Sequence, residues 1–377
     1  MTAQGSTKDA FDAVRDEFEK GLRSDELGAS VALDLDGETV VDLWGGHRDA
    51  ERTSPWTRET IVNVFSTTKT VTALAILVLA DRGLIDLDAP VATYWPEFAQ
   101  SGKESVLVRH VMGHTSGVSG WDQPITMTDL YDVRASTARL AAQQPWWTPG
   151  TAGGYHALSQ GHLLGELVRR VDGRSLTDFV AEDLAAPLGA DVQLGAREQD
   201  WGRVAPVVPP GPLPFDLSTL DPTTVSFRTM TGPAPDAEAV NTPQCRRAEI
   251  GAANGHSNAR GLVTLLRALT LGGAADGVRL LSEAMVDRVF EVQADGPDLV
   301  NGAPMRWGMG FGLTPVDQAP FLPAGRVAWW GGWGGSLVVV DLDRRVTFAY
   351  TMNKMGSGGL TGFDRAGRYL TAAYQAL

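Results

Sequence analysis

Ser66 and Lys69, within Phe65-Ser66-Thr67-Thr68-Lys69, are spaced so that a helix would place both side chains on one face, about one turn apart. A serine hydroxyl is a weak nucleophile until a neighbour takes its proton. A lysine pressed into an apolar wall can have its pKa lowered enough to do that. Ser-x-x-Lys is a known catalytic spacing of this kind. The same residues would also suit a plain helix start, with Ser66 as N-cap and Lys69 in solvent, so the pair acquires meaning only with other groups around it.

Two further stretches offer such groups. Trp147-Thr-Pro-Gly150-Thr-Ala-Gly-Gly-Tyr155-His156 puts a tyrosine at a glycine-rich helix start. Beside a lysine ammonium the phenolate is favoured, which predicts a lowered pKa for Tyr155 and a general base; the bland alternative is a packed tyrosine with a wet hydroxyl. Trp329-Trp330-Gly331-Gly332-Trp333-Gly334-Gly335-Ser336 leads into a strand, where glycines let a backbone N–H approach a ligand. With the N–H of Ser66, such a group would form an oxyanion hole. Read alone, it is an aromatic-glycine turn.

The three stretches, in this order, resemble the serine β-lactamase and penicillin-binding-protein superfamily, and more narrowly the family VIII carboxylesterases that share the class C β-lactamase fold. The likeness spans nearly the whole chain. It includes Trp44-Gly45-Gly46, Tyr94-Trp95-Pro96-Glu97-Phe98, His114-Thr-Ser-Gly117, Pro187-Leu188-Gly189 and Asn258-Ala-Arg-Gly261. The resemblance implies Ser66 as the acylated nucleophile, Lys69 and Tyr155 as the proton-transfer pair, and the N–H groups of Ser66 and Trp333 as the oxyanion hole. It implies a substrate lying against Trp330, Gly331, Gly332 and His156, with no cofactor and no metal.

This sequence departs from the β-lactamase pattern twice. Trp330 stands where those enzymes carry a lysine that would hold a carboxylate, and tryptophan cannot replace it. Ala157 removes an amide that would bind a lactam side chain. Both departures favour neutral esters, short-chain or aryl. The expected reaction is ester hydrolysis, with Tyr155 supported by Lys69 taking the Ser66 proton, though which of the two is the base in each step stays open. An amide hydrolase on the same scaffold would want an anchoring cation such as Arg134, Arg139 or Arg246, and transfer of the acyl group to an alcohol would need water excluded. A silent binding relative would have no physical need for Ser66, Lys69 and Tyr155 together. The tryptophans 146, 147, 329, 330 and 333 suggest an apolar, narrow site.

The elements that must position these groups can be read in outline. Residues 8–23 form an amphipathic pattern, and alternating apolar residues in 30–44 flank Asp36-Gly37, a strong hairpin turn signal. The apolar run 71–80 predicts a buried helix closed by Gly83. A mostly helical stretch follows to about residue 195, its clearest helix at 158–171. Prolines crowd 201–243, read as a loop that walls or covers a pocket. Strands return at 327–330, 336–341 and 345–352, and a helix over 363–376 ends the chain. The fold class is therefore α+β: an antiparallel sheet built from residues 1–83 and 250–377, flanked by terminal helices, with a mainly helical domain at 84–249 inserted.

Composition sets the remaining bounds. A net charge of −13 argues against nucleic acid or an anionic membrane surface as partner. Cys245 is the only cysteine, so neither an intrachain disulfide nor a multi-cysteine metal site can form. The first residues lack a signal-peptide core and no apolar run reaches membrane length, so a cytoplasmic location is expected. The expected partner is a small-molecule ester, with a homodimer left open. Gly-x-Ser-x-Gly is absent, Gly255-His-Ser257-Asn-Ala259 lacking the last glycine, which disfavours an α/β-hydrolase. His114 and His256 tempt a Ser-His-Asp reading that a Ser-Lys-Tyr site does not need.

Overall fold

A computed structural model describes residues 2–211, 221–317, 319–357 and 362–377. Among them, nine strands form one antiparallel sheet in the order Gln4–Thr7, Glu38–Gly46, Gly28–Leu35, Val346–Met352, Leu337–Asp341, Val327–Gly331, Gly312–Leu313, Pro304–Trp307, Ala294–Pro297. The chain's two ends meet where Gly28–Leu35 pairs with Val346–Met352, Val31 opposite Tyr350. The hairpin at Asp36-Gly37 forms as its sequence dictates: both residues take positive φ, 54° and 86°, which matches the twist of the flanking strands.

Val346–Met352 is buried along its whole length and Gly28–Leu35 at all but its last residue, so both sheet faces are covered. The terminal helices Asp12–Ser24 and Asp364–Tyr374 pack together on one face, with Phe18 edge-on to Tyr369 at 5.6 Å. Helix Ala259–Thr270 packs against the two central strands. Helix Thr68–Asp81 is buried from Thr68 to Leu79 and packs on Ser159–Asp172, so its apolar residues run all round instead of in a stripe. Gly83, at φ 73°, closes it.

The structure adds elements that the sequence pattern did not show. A second sheet joins Val192–Leu194, Gly255–Ser257, Ile61–Asn63 and Val204–Ala205 in that order. These strands are two or three residues long, too short to display a period. The Pro-rich stretch is not simply loop: Val225–Thr231 is a helix whose Thr224 cap accepts from the Phe227 N–H at 3.2 Å, and Pro243–Arg247 is another. Ser226 Oγ ties it to the Val300 carbonyl at 2.7 Å. Pro212 and Pro214 lie outside the described residues. No described helix is long and apolar enough to cross a membrane.

Candidate active site

The turn that carries Ser66 begins at strand Ile61–Asn63. Asn63 Oδ1 accepts from the Phe65 N–H at 2.8 Å, and Asn63 Nδ2 donates to Asn254 Oδ1 at 2.9 Å. This pair fixes Phe65 at φ 44°, a left-handed conformation that costs a bulky residue about 1–3 kcal/mol. The helix proper starts only at Thr68, so Ser66 sits in the turn before it and not at the N-cap. Across the sheet, Ser336 Oγ donates to the Val64 carbonyl at 2.9 Å and lies 3.0 Å from Thr67 Oγ1. A Cβ on Gly332 would stand 2.2 Å from the Val64 oxygen, so only glycine allows the strand end this close. Among the described residues, neither the Ser66 N–H nor the Trp333 N–H donates to a protein acceptor.

Ser66, Lys69 and Tyr155 converge. Tyr155 donates its hydroxyl to Ser66 Oγ at 2.7 Å, and Lys69 Nζ lies 3.2 Å from the same oxygen. Lys69 is 1% exposed and donates to the carbonyls of Ala157 at 2.7 Å and Ala252 at 2.9 Å. Its burial pushes the amine pKa well below 10.5. A neutral amine has two N–H groups, matching the two carbonyls, and one lone pair, which then faces Ser66.

The expected fall in the Tyr155 pKa is reversed. Burial pushes it up, and the negative charge of Asp298 adds to the rise. Burial outweighs the hydrogen bonds that favour the phenolate, Tyr155 being 1% exposed. Burial thus shifts both groups towards their neutral forms, the tyrosine towards its phenol and the lysine towards its free amine.

His156, expected against substrate, is fully buried. Its Nε2 lies 2.6 Å from Ser116 Oγ and its Nδ1 2.6 Å from the Gly154 carbonyl, so both ring nitrogens are used in holding the Tyr155 segment. Trp330 is 7% exposed, with its ring 5.2 Å from that of Tyr155. Gly331 faces Phe363, where a Cβ would collide at 2.1 Å. Trp333 lies edge-on to Phe65 at 5.7 Å. Trp329 packs on Phe363, and Trp146 lies under the Arg228 guanidinium at 4.1 Å, bonded to Asp122.

None of the three arginines weighed as carboxylate anchors bonds to this cluster. Arg139 donates to the carbonyls of Asp122 and Pro124, Arg246 lies over Trp201, and Arg134 is exposed. No described hydrogen bond joins a histidine to Ser66. His114 sits at φ 60° beyond helix Val108–Met112, its ring 5.2 Å from Tyr155 and kept neutral by burial. Two neighbours of Tyr155 escaped the sequence reading: Trp307, stacked at 5.9 Å and 4°, and Asp298. No motif marks either, since Trp307 ends one short strand near the sheet edge and Asp298 follows another.

Comparison with known proteins places the whole chain in a family. The model of the beta-lactamase family matches residues 14–373. The chain belongs to the beta-lactamase family. Within it, the chain is 36% identical over 355 residues to "Esterase/beta-lactamase LipL" of Mycobacterium tuberculosis, covering 90% of this chain and 80% of that protein. A solved family VIII carboxylesterase superposes with TM-score 0.93 and 38% identity, over 100% of both chains. A penicillin-binding-protein homologue from Caulobacter crescentus gives 0.90 and 36%, also over 100% of both. The beta-lactamase-like α+β fold expected from the sequence is therefore the fold of this chain.

Proposed function

We propose that this family member is a serine carboxylesterase, hydrolysing short-chain or aryl esters through an acyl-enzyme on Ser66. The observation that carries the reading is Ser66 Oγ held between the Tyr155 hydroxyl at 2.7 Å and a buried Lys69 amine at 3.2 Å; among the described residues no other lysine or arginine is hydrogen-bonded to Ser66 or to the Tyr155 hydroxyl. Lys69 Nζ takes the Ser66 proton as Oγ attacks the ester carbonyl. The N–H groups of Ser66 and Trp333 receive the oxyanion. As the tetrahedral intermediate collapses, Tyr155 gives its proton to the leaving alcohol and regains one from the Lys69 ammonium. Water then attacks the acyl-enzyme by the same route, freeing the acid and restoring Ser66.

Trp330 and Ala157 support esters over lactams, because each charged or amide contact missing to a lactam forfeits about 1.5–3 kcal/mol. Parallel assays test this: kcat/KM for p-nitrophenyl acetate should exceed that for nitrocefin by roughly 10^3-fold or more. Nitrocefin turned over as fast as the acetate would overturn the ester assignment. The oxyanion hole has its own test. Gly332→Ala should lower kcat about 10^2-fold, since its Cβ must push the Trp333 turn away from Val64. An Ala variant with wild-type kcat would show that Trp333 is not a donor.

A further inference from the structure

Asp298 is 2% exposed and follows strand Ala294–Pro297 near the far edge of the sheet. Its Oδ1 accepts from the backbone N–H groups of Tyr155 at 3.1 Å, Val300 at 3.0 Å and Asn301 at 2.8 Å. The last two make an ordinary turn of an aspartate with its own loop. The others are not local. Tyr155 is far away in sequence, and Oδ2 accepts the indole N–H of Trp307 at 2.9 Å. That indole stacks on the Tyr155 ring, its plane within 4° at 5.9 Å. A Cβ on Gly153 would come within 2.9 Å of it, so the chain leading to Tyr155 is itself fitted to Trp307.

We propose that Asp298 is a positioning residue for the reaction: its carboxylate clamps Tyr155 by backbone N–H and by the stacked indole, aiming the hydroxyl at the departing alcohol oxygen. The proposal rests on Tyr155 being the donor to that oxygen. At its tip the Tyr155 hydroxyl donates to Ser66 Oγ and has the Trp330 indole beside it, whereas the backbone from which the ring projects is held by Asp298. The ring is enclosed by His114, Trp307 and Trp330, so a shift of its backbone or of the Trp307 stack carries the hydroxyl with it, and a 1 Å error costs about 10^2-fold. The Asp298 charge also disfavours a tyrosinate, keeping the proton available to be given.

The test compares two esters that form the same acetyl-enzyme. p-Nitrophenolate leaves without needing a proton, whereas the ethoxide of ethyl acetate must receive one. In Asp298→Asn, a Nδ2 donor replaces an acceptor facing N–H groups. Its kcat/KM for ethyl acetate should fall about 10^2-fold and that for p-nitrophenyl acetate about 10-fold or less, with KM for the latter within about two-fold of wild type. Trp307→Phe keeps an aromatic stack but removes the indole donor, and should shift the same ratio by about 3-fold or more. Rates are normalised to active sites by the p-nitrophenol burst, so a misfolded fraction cancels. An equal fall on both esters, or none, overturns the clamp. Tyr155→Phe in the same assay separates the two ideas: a large loss on ethyl acetate with Asp298→Asn unaffected sinks the clamp alone, while wild-type rates in Tyr155→Phe sink the donor assignment on which it rests.

Discussion

Ser66→Ala and Lys69→Met should each lower kcat for p-nitrophenyl acetate by about 10^4-fold or more, because nucleophile and base act as a unit. Methionine keeps the volume and apolar stem of Lys69 but cannot take a proton. Lys69→Arg should be equally inactive, since a guanidinium stays charged. The pH profile identifies the base. Burial depresses the Lys69 pKa from 10.5, so the amine is neutral, and the enzyme active, above that lowered value. Activity is lost as pH falls through it. The acid limb of kcat/KM should therefore vanish from whatever residual activity Lys69→Met retains. A Lys69→Met enzyme with more than about a tenth of wild-type kcat would remove lysine from the mechanism.

How far the sequence anticipates this site depends on the scale at which each feature is written. Ser66 and Lys69 are one helical turn apart, so local geometry alone joins them. Tyr155 and the Trp330-Gly331-Gly332 strand reach them through the fold, and only the family resemblance could place them there. The direction of the Tyr155 pKa was not legible, because it depends on how completely His114, Trp307 and Trp330 enclose the ring. His156 illustrates the same limit: adjacent to Tyr155 in the chain, it turns into the protein towards Ser116. The strands on either side of Asp298 are a few residues long and lack a period, which hid both the sheet edge and its carboxylate. In contrast, the Asp36-Gly37 hairpin and the helix ended by Gly83 were readable since their signals are local and stereochemical.

Arg365→Met is expected to destabilise the protein by about 3–5 kcal/mol, the cost of leaving a buried charge without its partner. Arg365, from the terminal helix, donates to Glu26 Oε2 at 2.7 Å, and Glu26 is 2% exposed. Tyr350 and Tyr369 donate to the other oxygen at 2.6 and 3.0 Å. Burial already pushes the Glu26 pKa up, with Arg365 opposing. Without the guanidinium it rises further, and the native state then binds a proton that the unfolded state releases above 4.5. Stability of the variant should consequently be greatest at acid pH and fall as pH rises through the new Glu26 value. Unfolding curves at acid and neutral pH measure this, and an equal deficit at both would remove Glu26 as its source. Glu26→Gln in the same chain should recover part of the loss. The network also touches the active site, since Arg365 Nη2 donates to the carbonyls of Lys354 at 2.7 Å and Gly334 at 3.2 Å. Gly334 follows Trp333, so the ion pair fixes the turn that carries the proposed oxyanion donor. The Glu26→Gln/Arg365→Met protein should thus regain stability without regaining full kcat, because no methionine can hold the Gly334 carbonyl.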